Sequence, residues 1–179
     1  MHSGLIVLHQ QRPSVNWISP SSPWEVWTTC LRHIAIAHSS EVEMDEARLS
    51  QFSGEVYRDD AAYQFLLEIV SGLHSPLIGE TEVFGQFKDF YDEVIKRREG
   101  RWSVRCLIVQ LIREVKAIRQ EHLVGLGGQS YGSLARKHLA PFSQLALLGS
   151  GRLVLDILPW LAKRDLDKEV NVFVRCLTK

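Results

Sequence analysis

The chain has 179 residues, 45% hydrophobic and 23% charged, enough for one ordinary domain and part of a second around a sizeable core. Its 21 basic and 21 acidic residues cancel. No whole-protein field therefore advertises nucleic-acid or membrane binding, although a local basic patch remains compatible with that balance. Three cysteines, Cys30, Cys106 and Cys176, are odd in number and widely spaced. They suit a reducing, cytoplasmic setting better than a disulfide framework. The N-terminus has no basic flank or cleavage site of a secretory leader. No apolar run reaches the roughly 18 residues of a transmembrane helix, so no membrane association is expected.

Residues 4–8 read as a buried strand, and the proline- and serine-rich residues 13–23 as an irregular crossover. A second short strand is predicted over 24–27. Residues 28–33 interrupt it, and 34–37 resume extended character. Residues 41–48 are charged and weakly helical. Asp59 or Asp60 is expected to cap a helix carrying Ala62, Phe65, Leu66, Ile69 and Val70 at three-to-four spacing.

The stretch 72–80, running on to Gly85-Gln86-Phe87-Lys88, ends that helix. It sets glycines, Pro76 and the polar Ser75, Glu80 and Gln86 between two apolar helical faces. Two readings stand at this point: a long structural turn, or the wall of a site. Thr81 is expected to cap the next helix, whose face is Val83, Phe84, Phe87, Phe90, Tyr91, Val94 and Ile95. Glu82 and Lys96-Arg97-Arg98 suit its two ends. Gly100 breaks it. Val104, Leu107, Ile108, Leu111, Ile112, Val115 and Ile118 mark a third helix. After a glycine-rich break at 125–128, Ser130 is expected to cap a helix to about His138.

From Gln144 the pattern becomes strand, glycine turn, helix, strand. The strands are predicted at 145–148 and 170–174, and Pro159 is expected to kink or end the helix between them. This is one βαβ unit, fewer strands than a doubly wound domain needs. Either the chain is a cut form, or the unit is a remnant packed on the first domain. The expected architecture is therefore α/β and α+β. Residues 1–142 form an N-terminal α+β catalytic-type domain with connecting helices. Residues 143–179 form an incomplete, Rossmann-like nucleotide-binding domain.

Cys30 is the first candidate for chemistry. Arg32 and His33 follow it closely, and a cationic neighbour raises the thiolate fraction that a nucleophile needs. The other reading is a buried packing cysteine. His33 would serve as a base only if the strand bends. Cys30-x-x-His33 is half of a zinc pattern with no second half, so no metal is expected. Gly149-Ser150-Gly151 opens a dinucleotide fingerprint in the right context, between a strand and a helix. Val154 stands at its third glycine. Arg175, after the second strand, would suit the 2′-phosphate of NADP rather than NAD. The competing reading is a βαβ unit whose site is degraded.

The sequence SGLHSPLIGETEVFGQFK at 71–88 is similar to the SGLDSMVLGEPQILGQVK stretch of the glutamyl-tRNA reductase family, NADPH-dependent first enzymes of five-carbon tetrapyrrole biosynthesis. Thr29-Cys30-Leu31-Arg32 resembles the family's TCNR. Arg119 falls where the family has an arginine-rich helix. Gly149-Ser150-Gly151 resembles its GAG turn, and Arg175 the arginine of its NR pair.

The resemblance implies that Cys30 attacks the ester carbonyl of glutamyl-tRNA to form a thioester, which NADPH then reduces to glutamate-1-semialdehyde. Thr29, Arg32, Ser75, Glu80 and Gln86 would bind substrate, with Arg32 on the glutamate carboxylate. Gly149, Ser150, Gly151 and Arg175 would bind NADP(H). Glutamyl-tRNA and the downstream semialdehyde aminotransferase would be partners. A homodimer is left open, since the usual dimerisation segment is absent. The chain departs from the family's pattern at Leu31 (asparagine), Phe65 (histidine), His74 (aspartate) and Val154 (glycine). A non-catalytic relative acting as a binding or regulatory module is the alternative these departures raise.

Overall fold

The computed structural model describes residues 2–11, 24–42, 49, 52–96, 102–126, 130–162 and 168–174. Expectations for 13–23, most of 41–48, Gly100, Arg175 and Cys176 lie outside these residues. The chain folds as a mixed α/β protein: a four-stranded antiparallel sheet with helices, followed by a β–α–β unit.

The sheet contains β1 (Leu5–Gln11), β2 (Glu25–Thr28), β3 (Arg32–His38) and β4 (Glu55–Arg58), in the order β2-β3-β1-β4. Period-two alternation decides its faces. Leu5 and Val7 of β1, with Ile34 and Ile36 of β3, enter the main core beneath the helices. Ile6 points the other way and packs with Ala37, Val42 and Trp24.

Helix α1 (Asp59–Ser71) lays Phe65, Leu66, Ile69 and Val70 into the main core. The expected aspartate cap shifts by one: the N-cap residue is Arg58, with no side-chain cap bond. Asp59 and Asp60 instead accept hydrogen bonds from the backbone N–H groups of Gly4 (2.6 Å) and His2 (3.1 Å), tying the helix start to the start of β1. The C-terminus is a Schellman motif. Gly72, at φ 84°, donates to the Ile69 carbonyl, and Leu73 donates to that of Glu68.

Helix α2 (Glu82–Phe90) continues into a π turn at Tyr91–Ile95. Phe87 and Phe90 pack against Trp27 of β2 at ring distances of 4.9 and 6.2 Å. Helix α3 (Trp102–Glu121) inserts Val104, Ile108, Leu111 and Val115 into the same core.

Helix α4 (Tyr131–Leu139) is capped as expected, Ser130 Oγ accepting from the Ser133 N–H at 3.1 Å. It packs on α5 (Arg152–Ala162), where a Cβ on buried Gly132 would collide with the Trp160 ring. Pro159 sits in the last turn of α5, and the helix runs on to Ala162. Strands β5 (Gln144–Leu148) and β6 (Glu169–Phe173) pair in parallel around α5. Lys168 Nζ donates to the carbonyls of Leu139, Ala140 and Phe142, at 2.9, 2.9 and 2.7 Å, closing the end of α4 onto β6.

Candidate active site

The β2–β3 ladder ends at the pair Thr28–His33, leaving four residues to turn the chain. Thr29 builds that turn. Its N–H donates to the Arg32 carbonyl at 2.9 Å, and its Oγ1 accepts from the N–H groups of Leu31 and Arg32, each at 3.2 Å. Cys30 is left exposed at the tip, so the buried-cysteine reading does not hold. The His33 ring meets Thr28 Oγ1 at 3.1 Å across the hairpin.

Arg32 reaches from the hairpin to the central stretch, its Nη2 donating to the His74 carbonyl at 2.8 Å. Burial pulls the Arg32 pKa below its ordinary value, and the charge of Cys30 opposes that shift. The His74 ring pairs with Glu68 at 2.7 Å, which fixes the residue whose carbonyl Arg32 holds.

Glu80 is buried, with 6% of its surface exposed, and its carboxylate is turned into the loop. It accepts from Ser75 Oγ at 3.4 Å and from the Glu82 N–H at 3.3 Å. The latter bond caps α2 in place of the expected Thr81 hydroxyl, which makes no such bond. Behind the loop, the Arg119 guanidinium donates to three carbonyls: Ser71 and Glu80 at 3.0 Å each, and Gly79 at 2.9 Å. The stretch is thus a braced loop with its polar groups held in fixed positions.

Cys30, Thr29, Arg32, Ser75, Glu80 and Gln86 all line one cleft of about 810 Å³. Gly151, Leu153 and Asp156 of the β–α–β unit line it too, as does Tyr131 at the start of α4. Glu82, Asp89 and Glu93 give the α2 wall an acidic face. Gly149 and Ser150 lie in the neighbouring turn and are not among the lining residues. A Cβ on Gly149 (φ 106°) or Gly151 would meet nothing within 4 Å, so the turn faces open space at the N-terminus of α5. Arg175 lies outside the described residues.

Two features escape a reading of the sequence. Phe65, at the position the resemblance gives to histidine, is buried in an aromatic stack with Tyr57 at 4.0 Å and His9 at 5.0 Å. Tyr131 lines the same cleft as Cys30; its only signal in the sequence is its place next to the Ser130 cap. Burial raises its pKa, and the charges of Glu80 and Cys30 add to that effect.

An exposed thiol at a hairpin tip, opening into a cleft shared with a β–α–β unit, defines a protein of the thiol-bearing, two-part α/β class. The profile of the glutamyl-tRNAGlu reductase N-terminal domain matches residues 21–122, and the chain belongs to that family. Glutamyl-tRNA reductase 2 of Pyrobaculum arsenaticum is 25% identical over 169 residues, covering 89% of this chain and 42% of the relative. Glutamyl-tRNA reductase of Pyrobaculum aerophilum is 27% identical over 169 residues, covering 89% and 43%. The solved structure of glutamyl-tRNA reductase from Methanopyrus kandleri shares the fold, with a TM-score of 0.61 at 20% identity over 97% of this chain and 50% of that one. The chain spans less than half the length of these two Pyrobaculum relatives. No helix among the described residues is long and apolar enough to cross a membrane.

Proposed function

We propose that this chain carries the acyl-transfer centre of a glutamyl-tRNA reductase. Cys30 is the nucleophile: its thiolate attacks the α-ester carbonyl of glutamyl-tRNA, a C–S bond forms, and the bond to the terminal ribose oxygen breaks. The observation that carries this reading is the placement of exposed Cys30 and Arg32 on one hairpin at the mouth of the cleft. Arg32 keeps donors beyond the one given to His74, and a planar guanidinium suits the free glutamate carboxylate. Thr29 holds the turn, while Ser75, Glu80 and Gln86 form the opposing polar wall.

Residues 1–142 serve as the catalytic domain in this reading, and 143–179 as part of a nucleotide-binding one. The open space in front of Gly149 and Gly151, at the head of an 11-residue helix, fits the pyrophosphate of NADPH. Gly149, Ser150 and Gly151 would hold that group, and Arg175 its 2′-phosphate. The chemistry it supplies when bound is hydride, for which a thioester is a better acceptor than an oxygen ester. The cysteine-bound acyl group would leave as glutamate-1-semialdehyde for an aminotransferase.

The test is purified protein with glutamyl-tRNA, with and without NADPH. Semialdehyde formation that Cys30→Ser abolishes supports the reductase. Cys30-dependent release of free glutamate supports the acyl-transfer half alone. Neither product from folded protein overturns the reading in favour of a non-catalytic binding module.

A further inference from the structure

We propose that Tyr131 is the general acid of the acyl-transfer step, donating its phenolic proton to the ribose oxygen that leaves when Cys30 is acylated. The inference rests on the proposed glutamyl-tRNA reading.

The need follows from the chemistry. When the tetrahedral adduct at Cys30 collapses, the C–O bond to ribose breaks and its electron pair stays on oxygen. Ribose oxygen is a poor leaving group as an alkoxide, so an acid in the cleft must protonate it. The position the resemblance gives to a histidine offers none: Phe65 is there, buried against Tyr57. Of the acidic side chains that line the cleft, Glu80 is turned into its own loop by Ser75 and the Glu82 N–H. A phenol, with an ordinary pKa of about 10, holds a transferable proton at neutral pH.

Tyr131 meets each requirement. It lines the same cleft as Cys30, within electrostatic reach of the thiol. Its position is built in, because Ser130 caps α4 one residue before it and Gly132 lets α4 seat on Trp160 one residue after it. The backbone of Leu77 lies close enough to the phenol to oppose part of the upward shift. Burial and the negative groups around it keep the phenol protonated at neutral pH. After donation, water returns a proton to the phenolate, and no oxidant or reductant takes part.

The test compares single-turnover acylation of Cys30 by two substrates, without NADPH, in wild type and Tyr131→Phe. Glutamyl-tRNA has a leaving group that needs a proton. The α-(4-nitrophenyl) ester of glutamate departs as a stable phenolate and needs none. We expect the variant to lose about 100-fold or more with glutamyl-tRNA, within the usual range for a general acid. With the nitrophenyl ester it should stay within about threefold of wild type. Equal loss on both substrates, or no loss on either, overturns the proposal. A wild type that glutamyl-tRNA fails to acylate overturns the reductase reading itself, which separates the two failures.

Discussion

Arg32 Nη2 and the carbonyl of His74 are joined by a 2.8 Å hydrogen bond between the thiol-bearing hairpin and the braced central loop. The bond orients the guanidinium while leaving other donors free for an anion. Replacing Arg32 with glutamine should raise KM for glutamyl-tRNA about 10- to 100-fold, with a smaller effect on the rate of acylation at saturation. Tenfold corresponds to about 1.4 kcal/mol of binding. Arg32→Lys should recover only part of the loss, since a point charge replaces a planar fork. Steady-state kinetics with both variants decides it; an unchanged KM would remove Arg32 from the substrate site.

Cys30 and Cys106 are both exposed, which makes them a matched pair for reactivity. Cys30 has Arg32 beside it in a cleft, whereas Cys106 sits on the helix α3. Cys30 should react faster with iodoacetamide at pH 7, and Arg32→Gln should narrow the difference. Mass spectrometry of time-quenched samples reads this directly. Equal rates in the wild type would count against an activated thiolate.

Arg119 holds three carbonyls from the end of α1 and the end of the central loop. Arg119→Met should destabilise the fold by about 2–3 kcal/mol, the scale expected when charged donors are removed and carbonyls lose their partners. Urea unfolding measures the loss. Because Glu80 and Ser75 ride on the same loop, acylation should fall as well, even under conditions where the variant is fully folded.

The His9–Glu55 pair sets an acid limit to stability. Nδ1 of His9 meets Glu55 at 2.7 Å, and Tyr57 donates to the same carboxylate oxygen at 3.0 Å. Burial still lowers the His9 pKa from 6.5, against the pull of Glu55, and the Arg32 charge pushes the same way as burial. The unfolded chain therefore takes up this proton first, so stability falls as pH drops below 6.5 toward the folded value. Glu55 is held below 4.5, chiefly by its hydrogen bond to His9, and its contribution is lost at lower pH still. His9→Gln should remove the upper window and, by taking away the histidine that chiefly holds Glu55 down, shrink the lower one as well. Urea midpoints measured between pH 7.5 and 4 should show that difference between wild type and variant.

Much of the scaffold is legible in the chain because its periodicities are strong. The apolar run of β1, the three-to-four spacing in α1 to α3 and the strand–turn–helix–strand order at the C-terminus all appear where hydrophobic pattern places them. Strand β4 is missed because its four residues, Glu55–Arg58, are short, flanked by charge and only half-buried. The aspartate cap is misplaced because Asp59 and Asp60 serve partners 55 and 58 residues away, which no local rule can see. At the site, the sequence marks Cys30, Arg32 and the central loop by composition and resemblance. It cannot mark Tyr131, which is 101 residues along from Cys30 and meets it only as a lining residue of the same cleft.

The turn built by Thr29 has one more effect. Its hydroxyl already occupies the backbone N–H groups of Leu31 and Arg32, the two amides that follow the thiol in the chain. In thiol and serine acyltransfer centres such amides commonly form an oxyanion hole. Here they are committed to holding the hairpin. Under the proposed chemistry, negative charge gathering on the carbonyl oxygen draws nothing from those two amides, which leaves it to the N–H of Cys30 itself and to the side chains that line the cleft.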